Sequence, residues 1–197
     1  MPKRTQTPNL LPSATRRDLI AGVSAGVGAL ALPGARAAER APSEEISRSR
    51  EAIHQEVWFK AEPGRVYAAL LDAAQFQRII LNSAAVKGGM VKPTPPAAIE
   101  ARAGGAFSLF GGHISGRIIE LVPSVRIVQA WRPADWAAGI YSIARFELSK
   151  DGAGTRLVFD HTGFPAGQSA HLAAGWKGNY WQPLEALLAG TTAGAAP

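Results

Sequence analysis

Apolar side chains change their spacing twice along this chain. Between residues 62 and 82 they recur at helical intervals: Val66, Leu70 and Leu71, then Phe76, Ile79 and Ile80, which predicts two short helices. Pro63 stands near the first helical position, where its missing N–H costs little, and Asp72 is placed to cap the second helix. Ahead of them, residues 54–59 alternate and read as a first strand. The stretch 90–96 holds three prolines and reads as a loop. From residue 98 the period falls to two, predicting strands at 98–101, 106–110, 113–121, 125–131, 141–149 and 155–162. Asp151-Gly152-Ala153-Gly154 marks a hairpin, and Pro123-Ser124 a second turn; turns this short imply antiparallel neighbours. After Pro165 the spacing widens again. Leu172, Trp176, Tyr180, Leu184 and Leu187/Leu188 form one apolar stripe of a long helix. Pro183 cannot donate to Asn179, so a kink or loosened turn is expected there. A sheet followed by such a helix wraps it, and the space between them can hold a small apolar molecule.

The pleat assigns faces. Leu157, Phe159 and His161 share one side of the last strand, and Val158 and Asp160 the other. Val125, Ile127, Gln129 and Trp131 alternate with Arg126, Val128 and Ala130, while Ile119 and Leu121 oppose Ile118 and Glu120.

The first 37 residues are set apart from the fold. Arg16-Arg17 precede an uncharged apolar run at 19–32, and Ala35-Arg36-Ala37 follows as an A-x-A-type cleavage site through Ala35 and Ala37. The run is too short to span a membrane and matches a secretory signal peptide. Arg16 and Arg17 fit the twin-arginine type that exports folded bacterial proteins to the periplasm. If the signal is not cleaved, it tethers the domain to the membrane. Gly22-Val23-Ser24-Ala25-Gly26, inside this segment, matches a hydrolase nucleophile elbow only by pattern, lacking the strand and helix that the motif needs. Residues 38–52 are charged and read as a linker, 53–190 as the folded domain and 191–197 as a disordered tail. The whole chain carries a formal net charge of +6. Without residues 1–37 it keeps 16 basic and 14 acidic residues, a net of +2, with no basic run to bind nucleic acid. The absence of cysteine excludes disulfides, thiol nucleophiles and thiolate metal sites.

The segments Gly104-Gly105-Ala106-Phe107-Ser108-Leu109-Phe110, Ile114-Ser115-Gly116, Glu120-Leu121-Val122-Pro123 and Ile127-Val128-Gln129-Ala130-Trp131-Arg132 resemble the C-terminal domain of the activator of heat-shock protein 90 ATPase. His161-Thr162-Gly163, Gly175-Trp176 and Tyr180-Trp181 extend the resemblance, which covers residues 53–190. It implies an α+β, START-like helix-grip fold of the SRPBCC superfamily: a curved antiparallel sheet of about seven strands wrapped around a long C-terminal helix, with two short helices after the first strand. Members of that superfamily range from co-chaperone domains to polyketide cyclase-like enzymes and lipid carriers, so the resemblance leaves activity open. Unlike the eukaryotic activators, this chain shows only a signal and a linker ahead of the match.

Candidate chemistry is sparse. His54, His113, His161 and His171 are scattered without metal-ligand spacing, so neither a metal nor a cofactor is called for. Asp160 and His161 face opposite ways on a regular strand, which argues against a triad. His161 is the strongest interior polar residue: a cavity-mouth group, a base, or a histidine satisfied by a backbone carbonyl. Arg117 and Arg145 interrupt strands, facing a ligand carboxylate or, more commonly, solvent. Candidate cavity residues are Phe107, Leu109, Trp131, Trp136, Tyr141, Phe159, His161, Trp176 and Tyr180, with Trp136 expected partly exposed in the loop 132–139. Three functions follow: non-catalytic binding of a small hydrophobic molecule, a chaperone-associated module for a protein partner, and a cyclase- or hydrolase-like enzyme using His161 or Asp160.

Overall fold

The computed structural model describes residues 51–192. The expected leader with Arg16, Arg17, Ala35 and Ala37, and residues 193–197, lie outside the described residues.

Seven strands form one antiparallel sheet: β1 (Ala52–Phe59), β2 (Ala98–Ile99), β3 (Ala106–Leu109), β4 (Ile114–Val122), β5 (Arg126–Pro133), β6 (Ser142–Asp151) and β7 (Gly154–Thr162). Their order across the sheet is β1-β7-β6-β5-β4-β3-β2. The short turns make sequence neighbours into sheet neighbours from β2 to β7, and the two helices after β1 carry the chain to the far edge. β6 and β7 close through Asp151 paired with Gly154, the hairpin that the glycines predict.

α1 (Pro63–Leu71) and α2 (Ala73–Asn82) follow β1, and the Asp72 carboxylate accepts the Gln75 N–H at 2.8 Å, capping α2. A one-turn helix, α3 (Ala84–Lys87), comes next, its first turn capped by Ser83. The C-terminal helix runs through α4 (Ser169–Trp176), a π-helical turn (Lys177–Trp181) and α5 (Gln182–Thr192). The loosened turn expected near Pro183 is this π turn: the Gln182 N–H reaches back five residues to the Lys177 carbonyl. Pro183, one residue on, brings no N–H to restore the α pattern. Glu51, at the end of the stretch read as linker, accepts the N–H groups of Gly167 (2.9 Å) and Ser169 (3.0 Å) at the start of α4. Those donors hold its carboxyl below the ordinary value.

The inner sheet face and the helices share one apolar core. Ala144, Phe146 and Leu148 of β6 and Leu157, Phe159 and His161 of β7 alternate inward. β4 departs from strict alternation because its pairing with β5 shifts between Ile118 and Glu120. This bulge buries Ile118, exposes Ile119 and returns Leu121 to the core side, so Ile118 and Leu121 do not oppose each other as a regular strand would require. Val125, grouped by pattern with Ile127, is exposed just after the turn at Ser124. Gly116 is needed on β4, since a Cβ there would stand 2.0 Å from the Ala130 carbonyl and 2.4 Å from the Phe107 ring. The outer face carries charge. Arg156 bonds Glu56, Arg126 and Arg145 share Glu147, and His54 Nδ1 meets Asp160 at 2.7 Å.

Candidate functional site

A cleft of about 530 Å3 opens between the C-terminal helix, the ends of β4 and β5, and the segment around α3. Its floor is apolar and aromatic: Phe110, Ile114, Trp131, Leu172, Trp176 and Tyr180 are all buried and line it. His113, Asp135 and His171, which also line it, are exposed and form a polar rim. Phe110 is brought here by an unusual backbone. It has φ 53° and is followed by Gly111 at 66° and Gly112 at 89°, a left-handed run that bulky residues seldom enter. At Gly111 a Cβ would stand 2.4 Å from the Lys92 carbonyl oxygen, so the turn packs backbone to backbone against the proline-rich loop.

Beneath the floor a hydrogen-bond chain fixes every proton. Trp176 Nε1–H can only donate, and it lies 3.0 Å from His161 Nδ1. Nδ1 is therefore the acceptor and Nε2 carries the hydrogen, which goes to Ser142 Oγ at 2.6 Å. Ser142 in turn donates to the Trp131 carbonyl at 3.0 Å. His161 is 0% exposed, packed between the rings of Trp131, Phe164 and Trp176. Burial pushes its pKa down to about 4. The histidine is satisfied, by a hydroxyl and an indole rather than by a backbone carbonyl.

Trp131 Nε1–H extends toward the Tyr180 hydroxyl at 3.4 Å. Tyr180 packs on Trp176 (ring centroids 4.1 Å apart), Phe76 and Phe110, and burial pushes its phenol above the ordinary value. At neutral pH it is therefore an O–H donor.

Of the residues proposed from sequence, the structure brings Trp131, Trp176 and Tyr180 to the cleft. Phe107, Leu109, Phe159 and His161 lie in the solid core and outside the cleft's lining. Trp136 is not exposed: it retains only 6% of its surface, stacks edge-on against Trp131, and donates to Gln168 Oε1 at 3.0 Å. Its loop folds inward because the Arg132 guanidinium ties down the carbonyls of Trp136 and Ala137. Tyr141 is 48% exposed and lies under the same guanidinium, away from the cleft. Asp160 faces the outer side with His54. Arg117 and Arg145 are both exposed, Arg145 pairing with Glu147 and Arg117 donating to the Gly104 carbonyl.

Sequence reasoning missed Ser142 and Phe110. A serine in phase with Ala144, Phe146 and Leu148 was a visible signal of a polar group aimed inward, and the Gly111-Gly112 pair marked the turn. Among the described residues, no three His, Cys, Asp or Glu side chains gather as a metal site, and no helix is long and apolar enough to cross a membrane.

Residues 60–189 match the family described as activator of Hsp90 ATPase homolog 1-like protein. The chain belongs to this family. It is 30% identical over 90 residues to human activator of 90 kDa heat shock protein ATPase homolog 1, covering 46% of this chain and 27% of the human protein. With mouse homolog 2 it shares 30% identity over 93 residues, 47% of this chain and 28% of the mouse protein. The chain thus spans little more than a quarter of these curated relatives. Among solved structures, an HSP90 activator from Plasmodium falciparum superposes with a TM-score of 0.61 at 25% identity, over 70% of this chain and 96% of that one. CalU16 from Micromonospora echinospora matches in fold, with a TM-score of 0.56 at 20% identity over 73% and 80% of the two chains. The seven-stranded sheet closed on a C-terminal helix is the START-like helix-grip fold of the family.

Proposed function

We propose that this member of the activator family is an exported carrier that binds a small hydrophobic molecule in the cleft and does no covalent chemistry on it. The reading rests chiefly on the aromatic floor under a polar rim, in a volume typical of small-molecule sites. The strongest candidate base lends no support to catalysis: both nitrogens of His161 are engaged, and it lies outside the cleft's lining. Export rests on the Arg16-Arg17 leader. Native mass spectra of the protein recovered from the periplasm, before and after denaturation, test both parts. A reproducible mass excess that vanishes on unfolding is expected. A bare mass from every preparation, together with no change in tryptophan fluorescence across a panel of lipids and aromatics, would refute the carrier. A chain retained in the cytoplasm would refute export, and unchanged export of the Arg16→Lys/Arg17→Lys variant would refute the twin-arginine route.

A second reading, a module for a protein partner, is favoured by the relatives named as activators of the heat-shock ATPase. It predicts that the purified chain raises ATP turnover by such an ATPase. Since Trp136 is buried, the contact would lie elsewhere, and a flat titration would remove this reading.

A further inference from the structure

A buried hydroxyl in the cleft's lining, that of Tyr180, has one hydrogen bond where it could make two. Tyr180 Oη accepts from Trp131 Nε1–H, and an indole nitrogen cannot accept in return. Among the described residues no acceptor takes the Tyr180 hydrogen, although only 6% of the residue is exposed. The carbonyl oxygens of the two amides in the lining already accept hydrogen bonds. Asn179 Oδ1 accepts the Ala85 N–H, and Gln168 Oε1 accepts from Trp136. A buried hydroxyl without an acceptor is unfavourable, so this one is set for something that enters.

The charge of the lining narrows what that is. No Lys or Arg lines the cleft, and its one acidic residue, Asp135, sits at the rim. A carboxylate drawn onto the floor would lose its water without meeting a cation, which is costly. The floor's rings offer flat faces for stacking.

We infer that the occupant of the cleft is an uncharged, ring-bearing molecule with a hydrogen-bond acceptor, such as a carbonyl, that seats against the Tyr180 O–H, and that anionic lipids such as fatty acids are excluded. The inference rests on the carrier reading and gives it a chemical class. Three probes of matched shape separate the two: benzophenone, diphenylmethane, which lacks the acceptor, and diphenylacetate, which carries a negative charge. Calorimetry on the full chain is expected to show benzophenone binding about 3- to 10-fold more tightly than diphenylmethane, the advantage of one hydrogen bond, with diphenylacetate weakest. Tyr180→Phe, checked as folded by near-ultraviolet circular dichroism, abolishes the ketone's advantage over diphenylmethane. His171→Arg, which adds a rim cation, raises diphenylacetate affinity several-fold relative to that of benzophenone. A ketone preference that survives Tyr180→Phe overturns the inference, as does diphenylacetate binding as tightly as benzophenone. Equal binding of ketone and hydrocarbon overturns it while the carrier reading stands; no binding by any of the three counts against both.

Discussion

Lowering the pH from 7 to 5 should weaken the fold by a calculable amount through His161 alone. In the unfolded chain this histidine titrates near 6.5; in the native structure it stays neutral down to about 4. Between those values the unfolded state binds a proton that the native state refuses, so stability falls as pH falls and levels off once the native form also protonates. The full gap corresponds to about 3 kcal/mol, and about 2 kcal/mol of it is lost by pH 5. Other groups titrate as well. His54, held above its ordinary value first by its hydrogen bond to Asp160, acts oppositely: its contribution is complete below 6.5 and disappears as pH rises through its native value. A matched variant cancels such effects. Urea unfolding of the wild type and His161→Gln at pH 7, 6 and 5 isolates the term, because glutamine does not titrate. The two curves should converge by about 2 kcal/mol between pH 7 and 5. Parallel curves would refute the reasoning, and so would an imidazole signal for His161 that titrates near 6.5 by NMR.

Trp176→Phe keeps a ring but leaves His161 Nδ1 buried without a donor, costing about 1–3 kcal/mol, whereas Trp176→Ala should cost about 3–5 kcal/mol by urea unfolding; no loss in Trp176→Phe would mean that the indole N–H contributes nothing. Gly116→Ala forces a methyl into the Ala130 carbonyl and the Phe107 ring and should cost about 3 kcal/mol or prevent folding. A change below about 1 kcal/mol in the same assay would show that β4 moves aside freely. Asp72→Ala removes the cap of α2 and should lower stability by about 1 kcal/mol, read from the urea midpoint; an unmoved midpoint would show that the cap is redundant. Glu51→Gln should weaken the fold at neutral pH. Because the Glu51 carboxyl is held below its ordinary value of 4.5, the wild-type advantage is present above that value and disappears as pH drops through the native one. A pH-independent difference would show that the charge plays no part.

The fold was legible because its signals are local and repeated. Six strands alternate with turn residues between them, and Pro63, Asp72 and the glycines of the last hairpin set boundaries through their own backbone preferences. What escaped was decided by neighbours distant in sequence. Nothing in the segment 132–139 tells that Arg132 will gather its carbonyls and turn Trp136 inward, so the tryptophan read as partly exposed. Tyr141 lies one residue before β6, where the pleat cannot say which face a side chain takes. The bulge after Ile118 depends on pairing with β5, and alternation alone cannot place it. The aromatic residues stand out in the sequence as a set, but dividing them between solid core, surface and cleft requires the three-dimensional gap. Of the nine candidates, the structure places Trp131, Trp176 and Tyr180 at that gap. His161 drew attention for the right reason, a polar residue in an apolar phase, and Ser142 carried the same signal one strand away.

The π turn of the C-terminal helix explains how a four-residue repeat stays buried. Leu172, Trp176, Tyr180, Leu184 and Leu188 are each four residues apart and all buried. In an unbroken α-helix each step of four overshoots by about 40°, so the last would have rotated about 160° from the first, onto the far side. One surplus residue in the π turn takes back about 100°. The helix therefore carries its own phase correction at the place where its side chains floor the cleft. Along this helix a one-residue deletion inside Lys177–Trp181 would restore an ordinary α-helix with both flanks still in phase. The same deletion anywhere else would turn every downstream contact away from the sheet, so tolerance to changes in length is confined to the wall of the cleft itself.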